Sequence, residues 1–247
     1  MIGILLCAGY GTRLYPLTRN TPKPLLPVGG RPMIEHILKK MEEIEGLKEV
    51  FLVTNAKFYE QFVRWKQSYI GTLSLTIIND GTTSDEDKLG PIGDLALAIE
   101  KGRIDGDVII IAGDNLFGFS LRTMQQLFAK KKAPIVGFYD IKDKQKLVNK
   151  FGVGVLDKES RLIDFEEKPS KPKSTLCATC CYLFRTQDLQ VIQTLAREKG
   201  TKANAGDMIP ILMQQGPVYG FTFSEHWFDI GDKEQYEEAD GMYAKKR

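Results

Sequence analysis

The chain has 247 residues, 34 Lys and Arg against 32 Asp and Glu, and a hydrophobic share of 43%, enough for a full buried core. A net charge of +2, with lysines scattered among acids, argues against a nucleic-acid-binding stripe. The opening run Met1-Ile2-Gly3-Ile4-Leu5-Leu6-Cys7-Ala8 is too short to span a bilayer and lacks the basic lead-in of a secretory signal. With four cysteines (Cys7, Cys177, Cys180 and Cys181) in apolar surroundings, this predicts a reduced, cytoplasmic protein.

In chain order, strands are expected at 2–6, 49–54, 73–79, 108–112 and 135–139. Helical patterns fill the gaps at 32–45, 57–68, 94–101 and 121–131, the first with Pro32 at its start and Gly46 at its exit. This alternation predicts an α/β fold: a Rossmann-like mixed, mostly parallel sheet with helices on both faces. The second half is less regular. Strands at 151–156 and 161–166 flank a turn, a longer strand covers 175–184, and helices follow at 188–199 and 207–214. A strand at 218–223 precedes a last polar helix from Lys233. No repeat or low-complexity linker interrupts the chain, so residues 1–247 are expected to form one domain.

The first strand runs into Gly9-Tyr10-Gly11-Thr12-Arg13-Leu14. Two glycines let backbone N–H groups approach a phosphate, and Thr12 and Arg13 add donors; a plain tight turn is the alternative. A dinucleotide fingerprint is excluded by Leu14 where a third glycine belongs, and a P-loop by the lack of Gly-Lys-Ser/Thr. Downstream, Pro22 and Pro24 are expected to hold Lys23 extended, within reach of phosphates.

Gly9-x-Gly11-Thr12-Arg13-Leu14-x-Pro16-Leu17-Thr18, followed by Pro22-Lys23-Pro24-Leu25-Leu26-Pro27-Val28, resembles the signature of the sugar-nucleotide pyrophosphorylases. These are the sugar-1-phosphate nucleotidyltransferases, glucose-1-phosphate thymidylyl- and uridylyltransferases among them. The resemblance implies the nucleotide-diphospho-sugar transferase fold, with nucleotide in the first half and sugar phosphate in the second. It implies a nucleotide site at Leu6, Ala8, Gly9, Gly11, Thr12 and Gly93, with Arg13 and Lys23 as catalytic residues.

Asp114 ends the apolar run Ile109-Ile110-Ile111-Ala112-Gly113, where ligands of open α/β sheets gather; a helix-capping turn is the alternative. The family places a magnesium-binding aspartate there and completes the site with the aspartate of a late Trp-x-Asp-x-Gly element. Trp227-Phe228-Asp229-Ile230-Gly231 matches that element, so Asp114 and Asp229 are the expected Mg2+ ligands. Asp232 is expected to cap the last helix. Phe165-Glu166-Glu167-Lys168-Pro169 reads either as a solvated turn or as a sugar-phosphate site. Its resemblance to the family's Glu-Glu-Lys-Pro motif implies that Glu167 binds sugar and Lys168 phosphate, while Phe151-Gly152-Val153 resembles the element that brings Gly152 to the sugar.

The expected reaction is in-line attack of a sugar-1-phosphate on the α-phosphorus of a nucleoside triphosphate, releasing pyrophosphate. The expected partners are those two substrates, with no nucleic acid and no membrane; the oligomeric state, homo-oligomer included, stays open. Backbone at Gly93 is expected to favour dTTP or UTP, then CTP. Three alternatives stand: a cytidylyltransferase acting on a sugar phosphate or phosphocholine, a catalytically silent sensing paralogue, and a glycosyltransferase. The last is disfavoured by Asp114-Asn115-Leu116 in place of Asp-x-Asp. Finally, Cys180 stands where the family has glycine, and strand alternation puts it on the face opposite Cys177 and Cys181, towards the acceptor.

Overall fold

The computed structural model describes residues 1–200 and 203–245. Strand β1 (Ile2–Leu6) is central because both of its faces are apolar, with Ile4 and Leu5 fully buried in two separate clusters. A short hairpin, β2 (Pro27–Val28) and β3 (Arg31–Pro32), leads into α1 (Met33–Met41). Next come β4 (Glu49–Thr54), α2 (Tyr59–Ser68), β5 (Ser74–Asn79), α3 (Gly90–Gly102) and β6 (Val108–Ala112). Strands β4 and β6 flank β1, and β5 lies outside β4, all in parallel.

Beyond β6 come β7 (Asn115–Phe117), α4 (Leu121–Lys131) and β8 (Ile135–Asp140). An antiparallel hairpin of β9 (Gly152–Leu156) and β10 (Leu162–Glu167) precedes β11 (Leu176–Phe184), which runs antiparallel to β6. Helices α5 (Leu189–Lys199) and α6 (Met208–Gln215) lead to β12 (Tyr219–Phe223), β13 (Trp227–Asp229) and α7 (Lys233–Ala244). The main sheet has the order β10-β9-β11-β6-β1-β4-β5, and β8 joins β11 to β12. Ile34, Phe62 and Met124 of α1, α2 and α4 pack with Leu5 on one face, while Leu95, Ile192 and Ile209 of α3, α5 and α6 pack with Ile4 on the other. The expected mixed sheet with two helical layers is the observed one.

Several boundaries moved for local reasons. Helix α1 stops at Met41, short of 45, and the turns after it bury Ile44 and Leu47. Helix α3 starts at Gly90, because Pro91 suits a first turn that needs no N–H there. Lys23 is not extended: Lys23–Leu25 form one 3-10 turn between extended Pro22 and Leu26, and Pro24 is tolerated early in that turn for the same reason. Strands β7 and β13 were not foreseen, since three residues are too few to show a period. Among the described residues, no helix is long and apolar enough to cross a membrane.

Candidate active site

The turn after β1 runs along the carboxyl ends of the parallel strands. Gly11 has φ +62°, a left-handed conformation that glycine takes without strain, and Thr18 Oγ1 donates to its carbonyl at 2.6 Å. Upstream, Asn55 Nδ2 donates to the Ala8 carbonyl at 2.8 Å, which pins the loop to the end of β4. Leu6, Ala8, Gly9, Gly11, Thr12 and Arg13 line a cavity of about 480 Å3 that also reaches Lys23 and Asp114. Asp85, Lys88, Gly90, Pro91 and Asp94 form another part of its wall. Gly93, expected at the base, sits one turn inside α3 against the Leu89 side chain and is not part of that wall.

Antiparallel pairing of β7 with β13 sets Asp229 opposite Asn115. The Asn115 amide donates to Asp114 Oδ1 at 3.0 Å and to Asp229 Oδ1 at 3.5 Å, while Trp227 Nε1 donates to Asn115 Oδ1 at 2.7 Å. Lys23 Nζ donates to Asp114 Oδ2 at 2.6 Å and to the Ile230 carbonyl at 2.9 Å. The Arg13 guanidinium lies over Gly231, where a Cβ would stand 3.0 Å from Nη2. Burial pushes the Asp114 carboxyl up, but the Lys23 ammonium and the Asn115 amide outweigh it and hold the group below its ordinary range. Asp229 moves the other way, to about 7, through burial and the Asp114 charge, with Lys23 and Arg13 opposing.

Two neighbouring carboxyls pushed apart in this way fit a site completed by a cation. Among the described residues, no three His, Cys, Asp or Glu side chains gather as a ligand set. A metal held by Asp114 and Asp229 would therefore take its other oxygens from substrate and water, as magnesium does.

A second cavity of about 150 Å3 adjoins this junction, with Asn115 and Asp229 in its wall beside Gly152, Glu167, Cys180 and Asn204. A Cβ on Gly152 would stand 2.8 Å from Glu167 Oε2, and Gly206 leaves the same carboxylate room on its other side. Burial raises Glu167 to about 7 against the pull of Lys168. Lys168 has φ +50°, donates to Asn204 Oδ1 at 2.6 Å, and faces a broader cavity shared with Arg13 and Asp229. Cys180 has φ +51° and packs against the α3 side of the core, whereas Cys181 belongs to the other cluster.

The structure thus brings Arg13, Lys23, Asp114 and Asp229 together, with Gly152, Glu167 and Lys168 beside them. The sequence profile of the nucleotidyl transferase family matches residues 2–246. The chain belongs to that family. Among nucleotidyl transferases, it is 30% identical to the glucose-1-phosphate thymidylyltransferase of Neisseria gonorrhoeae, over 97% of this chain and 81% of that one. It is also 30% identical to the bifunctional protein GlmU of Methanococcus aeolicus, over 94% of this chain. It spans about half, 51%, of that relative's length. A Bacillus anthracis protein described as a glucose-1-phosphate thymidylyltransferase superposes with TM-score 0.84 at 26% identity, covering 99% of this chain and 96% of that one. A UDP-glucose pyrophosphorylase complexed with UDP-glucose shares the fold, with TM-score 0.83 at 21% identity over 100% and 99% of the two chains.

Three residues in the walls of these cavities, Asn115, Asn204 and Asp94, were not among the expected site residues. Asn115 stood only as the neighbour of Asp114, and Asn204 carried no signal, since it meets Lys168 across 36 positions. Asp94 did carry one, as a lone acid within the apolar stretch Ile92-Gly93-Asp94-Leu95-Ala96-Leu97.

Proposed function

We propose that this protein condenses a nucleoside triphosphate with a sugar-1-phosphate to give a nucleotide sugar and pyrophosphate. The observation that carries the reading is the junction of the two cavities at Asp114-Asn115 and Asp229, with a phosphate-binding loop on one side and Glu167 on the other. Family membership and the thymidylyltransferase relative support it.

An oxygen of the sugar-1-phosphate attacks the α-phosphorus in line, the bond to the bridging oxygen of the β-phosphate breaks, and pyrophosphate leaves. Backbone N–H groups at Gly9 and Gly11 hold phosphates, and Arg13 and Lys23 neutralise charge growing on the leaving group. Lys168 steadies the attacking phosphate, and Glu167 accepts from sugar hydroxyls. That phosphate is already ionised at neutral pH, so no side chain need act as a base. Asp114 and Asp229 are the residues that would hold Mg2+, which when bound supplies charge neutralisation between the two substrates. A cytoplasmic location belongs to the same proposal, in keeping with four free thiols.

A pyrophosphate-release assay crossing the common nucleoside triphosphates with a panel of sugar-1-phosphates tests this. Turnover with at least one pair is expected. Bound nucleotide with no turnover for any pair would instead indicate a silent sensing paralogue.

A further inference from the structure

The cavity proposed for the nucleotide has an acidic residue besides Asp114 and Asp85. Asp94 is only 6% exposed, yet it lines the cavity together with Lys88, Gly90 and Pro91. Asp80, just past β5, meets it carboxyl to carboxyl. One oxygen of Asp80 is fully used: Oδ1 accepts from the Thr82 N–H at 2.7 Å and from Thr82 Oγ1 at 2.8 Å, with the Tyr10 hydroxyl 3.0 Å beyond. The remaining buried oxygens, Asp80 Oδ2 and Asp94 Oδ1, receive no donor from the protein. A proton shared between the two carboxyls satisfies both. Burial, then the Asp80 charge, raises Asp94 to about 8, so the pair keeps that proton at neutral pH. A proton between the two carboxyls leaves the second Asp94 oxygen an acceptor whichever of them holds it.

We propose that Asp94 reads the nucleobase and selects a base with an exocyclic amine on its pairing edge over one with a carbonyl there. The inference rests on the nucleotide reading of this cavity given above. A cytosine-type amine donates to the free Asp94 oxygen, whereas the O4 of uracil or thymine would set one acceptor against another, beside a carboxyl pair that together carries one negative charge. The Lys88 ammonium in the same wall pairs with Asp85 at 3.0 Å. Packing gives no reason for a carboxyl here, since the helix face around it is Ile92, Leu95, Ala98 and Ile99. The order expected from the sequence, dTTP or UTP ahead of CTP, considered only backbone near Gly93; the Asp94 side chain acts in the opposite sense.

CTP and UTP share ring size and differ only at the edge in question. Titration calorimetry of each with the intact protein and magnesium chloride, without any acceptor, reads the choice independently of turnover. CTP is expected to bind at least about tenfold more tightly, the scale of one hydrogen bond to a charged group. Asp94→Leu should bring the two dissociation constants within about twofold. Asp94→Asn should keep the preference, because its amide nitrogen can donate to Asp80 while its oxygen faces the cavity. UTP binding as tightly as CTP would overturn the inference, as would an unchanged preference in Asp94→Leu. If neither nucleotide binds, the inference falls with the nucleotide reading. A CTP preference without turnover for any substrate pair would leave Asp94 as the reader and remove the transferase reaction.

Discussion

Lys23 and Asp114, 91 positions apart in the chain, meet in a 2.6 Å ion pair whose side chains are only 12% and 25% exposed. The same ammonium reaches the Ile230 carbonyl just past β13, so one lysine ties the segment after the glycine loop to the β6–β7 turn that carries Asp114 and to the end of the strand that carries Asp229. Lys23→Ala leaves the Asp114 charge partly buried without its partner, and turnover should fall by about two orders of magnitude or more. Turnover within about threefold of wild type in a steady-state assay would take Lys23 out of the mechanism.

Asp114→Ala and Asp229→Ala should each lower turnover by two or more orders of magnitude, roughly 3–4 kcal/mol of barrier, with the circular dichroism spectrum unchanged. The bridging amide gives a subtler test. Asn115→Ala removes the group that orients both carboxylates, so the magnesium concentration for half-maximal activity should rise about tenfold or more. An unchanged magnesium dependence would reduce Asn115 to a strand-packing residue.

Arg13 and Lys168 should separate the substrates. Arg13→Ala is expected to impair use of the nucleotide, and Lys168→Ala to raise mainly the KM for the sugar phosphate. Equal loss towards both substrates in Lys168→Ala would contradict the division.

Cys180 combines a left-handed backbone with a place in the wall of the smaller cavity, the one proposed for the acceptor. Cys180→Gly should relieve about 1 kcal/mol of backbone strain and widen that cavity. The expected result is better use of glucose-1-phosphate relative to the native acceptor in a competition assay. An unchanged acceptor profile would make Cys180 a packing residue only.

Asp94 also makes stability depend on pH. Its carboxyl titrates near 3.8 when unfolded and near 8 when folded, so the folded state holds the extra proton between those values. Stability from this group is therefore full below about pH 4, falls as pH rises, and levels off above about 8. Glu167 and Asp229, both raised to about 7, add to the same fall. Asp94→Asn should remove its share, on the order of 4 kcal/mol, when urea unfolding at pH 5 is compared with pH 8.5. Parallel pH curves for variant and wild type would contradict the shared proton.

The sequence alone determined the sheet core and marked the loop from Gly9 to Arg13 and the motifs around Asp114 and Asp229, because each of these is written in contiguous residues. Ile4 and Leu5 announce a strand buried on both faces, and Asp232 announces its cap, donated to by the Gln235 N–H at 3.0 Å. Pairing between distant short segments was not written there. Strands β7 and β13 hold three residues each, too few for any period, and only their antiparallel register sets Asp229 against Asn115 across 114 positions. The shared proton of Asp80 and Asp94 needs β5 and α3 to close together in the dry interior, where a carboxyl without a partner is unstable. Chain order carries local propensity, but the charge state of a buried acid depends on what the whole fold places beside it.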